Sequence, residues 1–187
     1  MKKKLPKLFK FILYLILFEF GFGLRSTHGF IPIINEPNTQ ELKATSIEIG
    51  KTAIQLIQFG QNNEAIKLLE LAIKLNPTEN DLWISLAEAQ VRSNRLNKAL
   101  VSLENAIKLN PREANIYFKQ GSIYMELNNP KKAKIYIKKG LSINKTNEKG
   151  YFQLGNTEIM LKNYKLAMIA FKKSSKINSQ FWQSINN

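Results

Sequence analysis

Cysteine is absent from this chain, and histidine occurs once, as His28. The first absence removes disulfides, thiolate metal sites and a cysteine nucleophile. The second leaves a zinc or iron site beyond the N-terminus with carboxylates alone, a poor ligand set for either metal. A Ser-His-Asp arrangement lacks its base. No nucleophile–base pair, metal cluster or glycine-rich phosphate loop stands out in the sequence. The expectation is therefore a protein that is not an enzyme, with no cofactor, no metal and no small-molecule substrate. Six prolines and nine glycines in 187 residues exclude collagen-like and linker-like classes. A hydrophobic fraction of 44 % is enough for a packed structure. Arginine is scarce, so the net charge of +14 is carried mostly by lysine.

The N-terminus reads MKKKLPKLFKFILYLILFEFGFGLRSTHG. Lys2, Lys3, Lys4, Lys7 and Lys10 precede an apolar run from Phe11 to Leu24 that only Glu19 interrupts. This is the order of a secretory signal peptide. The run is shorter than the roughly 20 residues that span a bilayer. A glutamate near its middle costs on the order of 3 kcal/mol in hydrocarbon. Residues 1–29 are thus expected to be a signal peptide or a membrane anchor, placing the chain in an exported, periplasm-like or lumenal space. A cytoplasmic location fits the leader less well. Residues 30–45 read as an extended linker and the start of a first helix. Pro32 and Pro37 hold the backbone extended, and Asn38 with Glu41 has the spacing of a helix-capping box.

From residue 46 the chain repeats itself. The segments AIKLLELAIKLNP, ALVSLENAIKLNP, AKIYIKKGLSINK and AMIAFKKSSKINS align at 34-residue intervals. Small residues recur with the same period: Ala53, Ala87, Gly121 and Gly155; Ala65, Ala99, Ala133 and Ala167; Ala72, Ala106, Gly140 and Ser174. Turn chemistry falls between them, at Gly60–Asn63, Ser93-Asn94, Asn128-Asn129-Pro130 and Lys162-Asn163. One such series is what any amphipathic helix could supply. Several in a single register require two helices of about 12–14 residues per unit, stacked so that neighbours share a core.

These residues resemble tetratricopeptide repeats, whose 34-residue unit follows W-x2-L-G-x2-Y, then A-x3-F, then P. The first part reads Trp83, Leu86, Ala87, Gln90, then Tyr117, Gln120, Gly121, Tyr124, then Tyr151, Leu154, Gly155, Glu158. The second part reads Ala65/Leu69, Ala99/Leu103, Ala133/Ile137 and Ala167/Phe171. The departures are Gln90 and Glu158 for tyrosine, and Lys145 and Ser179 for proline. The resemblance implies an all-α fold, a right-handed α-solenoid of four tandem helical hairpins over 46–181 (46–79, 80–113, 114–147 and 148–181). Residues 182–187 would form a short C-terminal capping helix or tail, beginning near Phe181 and Trp182.

It also implies a concave groove lined by the first helix of each hairpin. Register places Ile84, Phe118 and Phe152 on one line, and Glu88, Ser122 and Asn156 on another. On this reading the groove is largely apolar and holds a peptide or helix of another protein. Removing the rings of Phe118 and Phe152 should then weaken partner capture and leave the fold intact. The line Ile57, Val91, Met125 and Ile159 is assigned to inter-repeat core. The Lys/Asn/Arg clamp by which one subfamily grips a C-terminal carboxylate is incomplete, because Asn115/Lys119 and Lys149/Gln153 lack the second cation.

Charge is uneven along the array. The first two repeats carry −1 and +1, the last two +6 and +4. The excess lies on second helices, at Lys131, Lys132, Lys134, Lys138 and Lys139, and at Lys165, Lys172, Lys173 and Lys176. In the architecture that the resemblance implies, those helices form the convex face, which would fit an anionic membrane, an acidic protein or plain solvent. Helical-repeat nucleic-acid binding by the lysine-rich half is the alternative reading. Scarce arginine and missing aromatic stacking motifs weigh against it.

Overall fold

Between the first helix and the last, helices start and stop where the repeat tells them to. In the computed structural model, which describes residues 38–185 and side chains as far as Ser179, the chain forms α1 (Thr39–Gln58), α2 (Asn62–Leu75), α3 (Asn80–Arg92), α4 (Leu96–Leu109), α5 (Ala114–Glu126), α6 (Pro130–Ile143), α7 (Glu148–Met160) and α8 (Tyr164–Ile185). The leader and the stretch before Asn38 lie outside the described residues. Asn38 caps α1 by accepting a hydrogen bond from the Glu41 N–H at 2.8 Å. The first helix of every hairpin ends on one left-handed residue at the same repeat position: Gly60, Asn94, Asn128 and Lys162. The next N–H then turns back to a carbonyl five residues earlier, as in Arg95 to Gln90 at 2.7 Å and Asn163 to Glu158 at 2.8 Å. Pro130 opens α6, where its missing N–H costs nothing, beside the capping side chain of Asn129.

The described residues contain helices and no strand, and the helices stack as a solenoid. Each packs on its neighbour in sequence, and the first helices of successive hairpins also touch, α1 on α3 and α5 on α7. Ala65, Ala99, Ala133 and Ala167 are buried at the helix crossings, letting the backbones approach. The position of Ala53, Ala87, Gly121 and Gly155 shows size matching within each hairpin. A Cβ on Gly121 would collide with Ile137, and one on Gly155 with Phe171. Alanine stands where the repeat pattern sets Leu69 or Leu103 opposite.

The departures at the tyrosine position are compensated by pairing. Gln90, in the tyrosine position, accepts a hydrogen bond from buried Ser102 at 2.8 Å. Tyr124, which keeps the pattern's tyrosine, stacks on Tyr136 with ring centroids 5.2 Å apart. Glu158 takes an ion pair from Lys134 at 2.7 Å and a hydrogen bond from Asn163 at 2.9 Å. Gln120 is the exception. It is fully buried, and neither its amide oxygen nor its amide nitrogen has a partner. The same position holds Leu86 and Leu154 in the flanking repeats. Gln120→Leu is expected to raise stability by about 1–3 kcal/mol, since it removes two unsatisfied polar groups. Chemical denaturation of the purified variant checks this.

The C-terminus departs from the expected short capping helix over 182–187. α8 is one continuous helix from Tyr164 to Ile185. At the equivalent turns Asn144 accepts from Thr146, and Asn147 caps α7. After Asn178 the residues are Ser-Gln-Phe, with neither the proline nor the caps, so nothing stops the helix.

Candidate protein-binding groove

Two first helices, α3 and α5, enclose a recess of about 300 Å³ lined by Glu88, Val91, Arg92, Lys119, Ser122 and Glu126, among others. Their spacing on each helix, three or four residues apart, brings these side chains to one side. Glu88 anchors the recess. Its carboxylate accepts from Arg92 Nη2 at 3.1 Å and from Lys119 Nζ at 3.4 Å, so cations of two repeats meet on one acid. Ser122 accepts from Gln153 Nε2 at 2.8 Å, extending the polar ladder to α7. Asn156 is half-buried one repeat further on.

Of the two lines placed in the groove by register, the polar one is there in part: Glu88 and Ser122 line the recess. The apolar one is corrected. Phe118 is 6 % exposed. Its ring fills the space above two glycines, and a Cβ on either Gly140 or Gly150 would stand 2.6 Å from it. It is a seam between hairpins three and four. Ile84 is likewise half-buried against the cluster containing Ala106 and Ile116. Phe152, over which no further hairpin packs among the described residues, is 52 % exposed. The groove is thus charged in its middle; Ile54 on α1 and Met160 on α7, exposed at the repeat positions of Glu88 and Glu126, are apolar.

Sequence reasoning missed the roles of Arg92 and Glu126 in the recess. Their signal was present: they share one repeat position, twelve residues into each 34-residue unit. On the basic face Lys134 is drawn inward, 26 % exposed and held by Glu158. Lys131, Lys132, Lys138, Lys139, Lys165, Lys172, Lys173 and Lys176 are exposed. Of these, Lys139, Lys173 and Lys132 lie over the rings of Tyr117, Tyr151 and Tyr124 at 4.7, 4.4 and 5.3 Å. Among the described residues, no three of His, Cys, Asp or Glu gather into a metal site, and no helix is long and apolar enough to cross a membrane.

Stacked hairpins around a lined recess define a helical-repeat protein-interaction scaffold. The tetratricopeptide repeat family matches at residues 56–117, and again in two copies at 114–147 and 148–181; the chain belongs to it. Among solved structures, the fold is similar to a crystal structure of MamA, with a TM-score of 0.70 and 22 % identity over 78 % of this chain and 89 % of that one. It is also similar to a fragment of MamA from Desulfovibrio magneticus RS-1, at TM-score 0.65 and 18 % identity over 76 % of this chain and 77 % of that one. A third is the first such domain of Spaghetti (RPAP3), solved with the HSP90 peptide SRMEEVD, at TM-score 0.61 and 18 % identity over 64 % of this chain and 95 % of that one. No curated protein sequence matches the chain.

Proposed function

We propose that this chain is a non-catalytic scaffold that holds a segment of another protein in the recess between α3 and α5. On this reading residues 1–29 export it or tether it to a membrane, where it helps a larger complex assemble. The observation that carries the reading is the Arg92–Glu88–Lys119 cluster beside Ser122. It offers a bound segment both charges at the centre of a concave surface, with apolar contacts on either side. A neighbour of the same fold was solved with a peptide bound, which supports a peptide as the occupant. Ser122→Trp fills the recess from a half-buried position. It is expected to abolish capture of the native partner from membrane extracts while leaving the circular dichroism melt unchanged. Undiminished capture would refute the groove assignment.

A second part of the reading concerns the back of the solenoid. Val101, Ile135 and Ile169 are exposed at one repeat position, 34 residues apart. Lys131 and Lys138 flank Ile135, and Lys165 and Lys172 flank Ile169. Aliphatic side chains ringed by lysine suit an anionic bilayer surface, at about 1 kcal/mol per nearby lysine. They suit nucleic acid less, because they offer no ring for a base to stack on. The full-length protein should bind vesicles containing phosphatidylglycerol more than vesicles of phosphatidylcholine alone. Ile135→Glu with Lys138→Glu should erase that difference; an unchanged preference would dismiss this face.

A further inference from the structure

The two ends of the solenoid are finished differently. First helices contact the preceding hairpin at positions in fixed register, and α7 shows all three of them. The first fills space against the preceding first helix: Leu82 sits over Gly50, Ile116 packs near Ile84, and Gly150 receives Phe118. Small meets large in each case, so the pair fills a similar volume. Three residues later a side chain reaches back with a hydrogen bond, Lys119 to Glu88 at 3.4 Å and Gln153 to Ser122 at 2.8 Å. Four residues after that comes a last contact, Thr157 Oγ1 to Met125 Sδ at 3.1 Å.

Hairpin four holds the receiving half of all three contacts: Phe152, Asn156 and Ile159. Nothing among the described residues covers them, because α8 runs on to Ile185 and does not turn back. Phe152 and Ile159 are both exposed. The apolar surface continues onto α8, where the Phe171 ring lies 5.4 Å from that of Phe152 and Tyr164 and Met168 line a recess with Ile159. At the opposite end the covering positions of α1 are Glu48, Lys51 and Gln55, all exposed. That is a polar cap, as the terminal unit of a repeat array requires.

The same facts say what kind of molecule completes the other end. The polar α1 face of a second copy would set Glu48 over Phe152. Two like end faces would bring together Lys165 and Lys172, which share a side of α8 with Met168 by their spacing. We propose that the C-terminal end face receives an amphipathic helix of another protein, seated as the first helix of a fifth hairpin would be. The register specifies that helix. It carries a small residue over Phe152, a hydrogen-bonding side chain three residues on for Asn156, and a small or apolar residue four further on over Ile159. Acidic residues flank it on the side of Lys165 and Lys172. This site is separate from the recess between α3 and α5.

The probe is a fluorescein-labelled synthetic peptide with the sequence of residues 148–160, stapled on its outward side to hold it helical. It keeps Gly150, Gln153 and Thr157 in the required spacing. In its acidic form Lys149 is replaced by Glu; in its basic form Glu148 and Glu158 are replaced by Lys. Anisotropy titration against the full-length protein is expected to give saturable binding of the acidic form and about tenfold weaker binding of the basic form. Met168→Glu, at a side chain 66 % exposed, should weaken the acidic form's binding about tenfold with an unchanged thermal melt. Ser122→Trp should leave it unaltered. The proposal is overturned by no saturable binding up to ~100 μM, by equal binding of both forms, by insensitivity to Met168→Glu, by sensitivity to Ser122→Trp, or by a concentration-dependent dimer in sedimentation that Met168→Glu dissolves.

Discussion

Phe118→Ala is expected to lower stability by about 3–5 kcal/mol, the range for removing a buried aromatic ring. The ring is 6 % exposed and stands over two glycines, Gly140 on α6 and Gly150 on α7. Neither glycine has a side chain with which to close the hole. The loss falls on the interface between the third and fourth hairpins. In a solenoid, whose stability is the sum of repeats and their nearest-neighbour interfaces, the fourth hairpin should therefore melt before the rest. A denaturation curve with two steps, the first assigned to α7 and α8 by hydrogen exchange, would show this. The seam between hairpins one and two also supplies a rescue. There the first helix holds Gly50 and the next one Leu82, the reverse of Phe118 and Gly150. Phe118→Gly with Gly150→Leu should recover much of what Phe118→Gly alone loses. If Phe118→Ala instead leaves the melt unchanged and only weakens partner capture, the residue belongs to the groove after all.

Lys134→Met should cost about 3 kcal/mol at neutral pH. That is the lower end for breaking a buried ion pair, because Lys134 keeps 26 % of its side chain exposed while Glu158 keeps 4 %. Burial pushes the Glu158 carboxyl up, but the hydrogen bonds from Lys134 and Asn163, with the charges of Lys134 and Lys138, outweigh it and hold it below its ordinary value of 4.5. A depressed carboxylate stabilises the fold above its unfolded pKa, and that contribution disappears as pH falls through the folded value. The wild type should accordingly lose stability in acid below pH 4.5. In Lys134→Met, burial acts on Glu158 without its main partner, so protonation relieves the variant. The gap between the two proteins seen at pH 7 should narrow as pH falls through the carboxylate range around 4.5. Urea titrations across that range check it, and a gap that stays constant would mean that the ion pair contributes little.

The repeat was legible because its evidence is periodic. Ala65, Ala99, Ala133 and Ala167 fix the register independently of Asn76, Asn110 and Asn144, and the structure keeps both. The two lines through Phe118 and Ser122 were harder to separate. They lie four residues apart on one helix, close to the boundary between seam and groove. Which way the larger side chain turns is decided 32 residues later, by whether the next helix offers leucine, isoleucine or glycine. Gly140 and Gly150, glycines inside helices, were the available sign that a bulky neighbour was coming. Gln90 and Glu158 read as departures from a pattern because their partners, Ser102 and Lys134, sit 12 and 24 residues away in positions the pattern leaves open. The end of the array turned on residues that are missing. Without a proline or a capping side chain after Asn178, α8 continues, and among the described residues no further helix packs over the fourth hairpin's apolar face.

The central claim is that the first helices form a surface that holds another protein at the Arg92–Glu88–Lys119 cluster. The most direct test installs a photoreactive benzoylphenylalanine at Glu126, in the recess but outside that cluster, and separately at Asn97, exposed on α4 outside the recess. After irradiation in the native cell, position 126 should yield a discrete protein adduct that Ser122→Trp abolishes and position 97 does not form. No adduct at position 126, or the same adduct from both positions, would contradict the account.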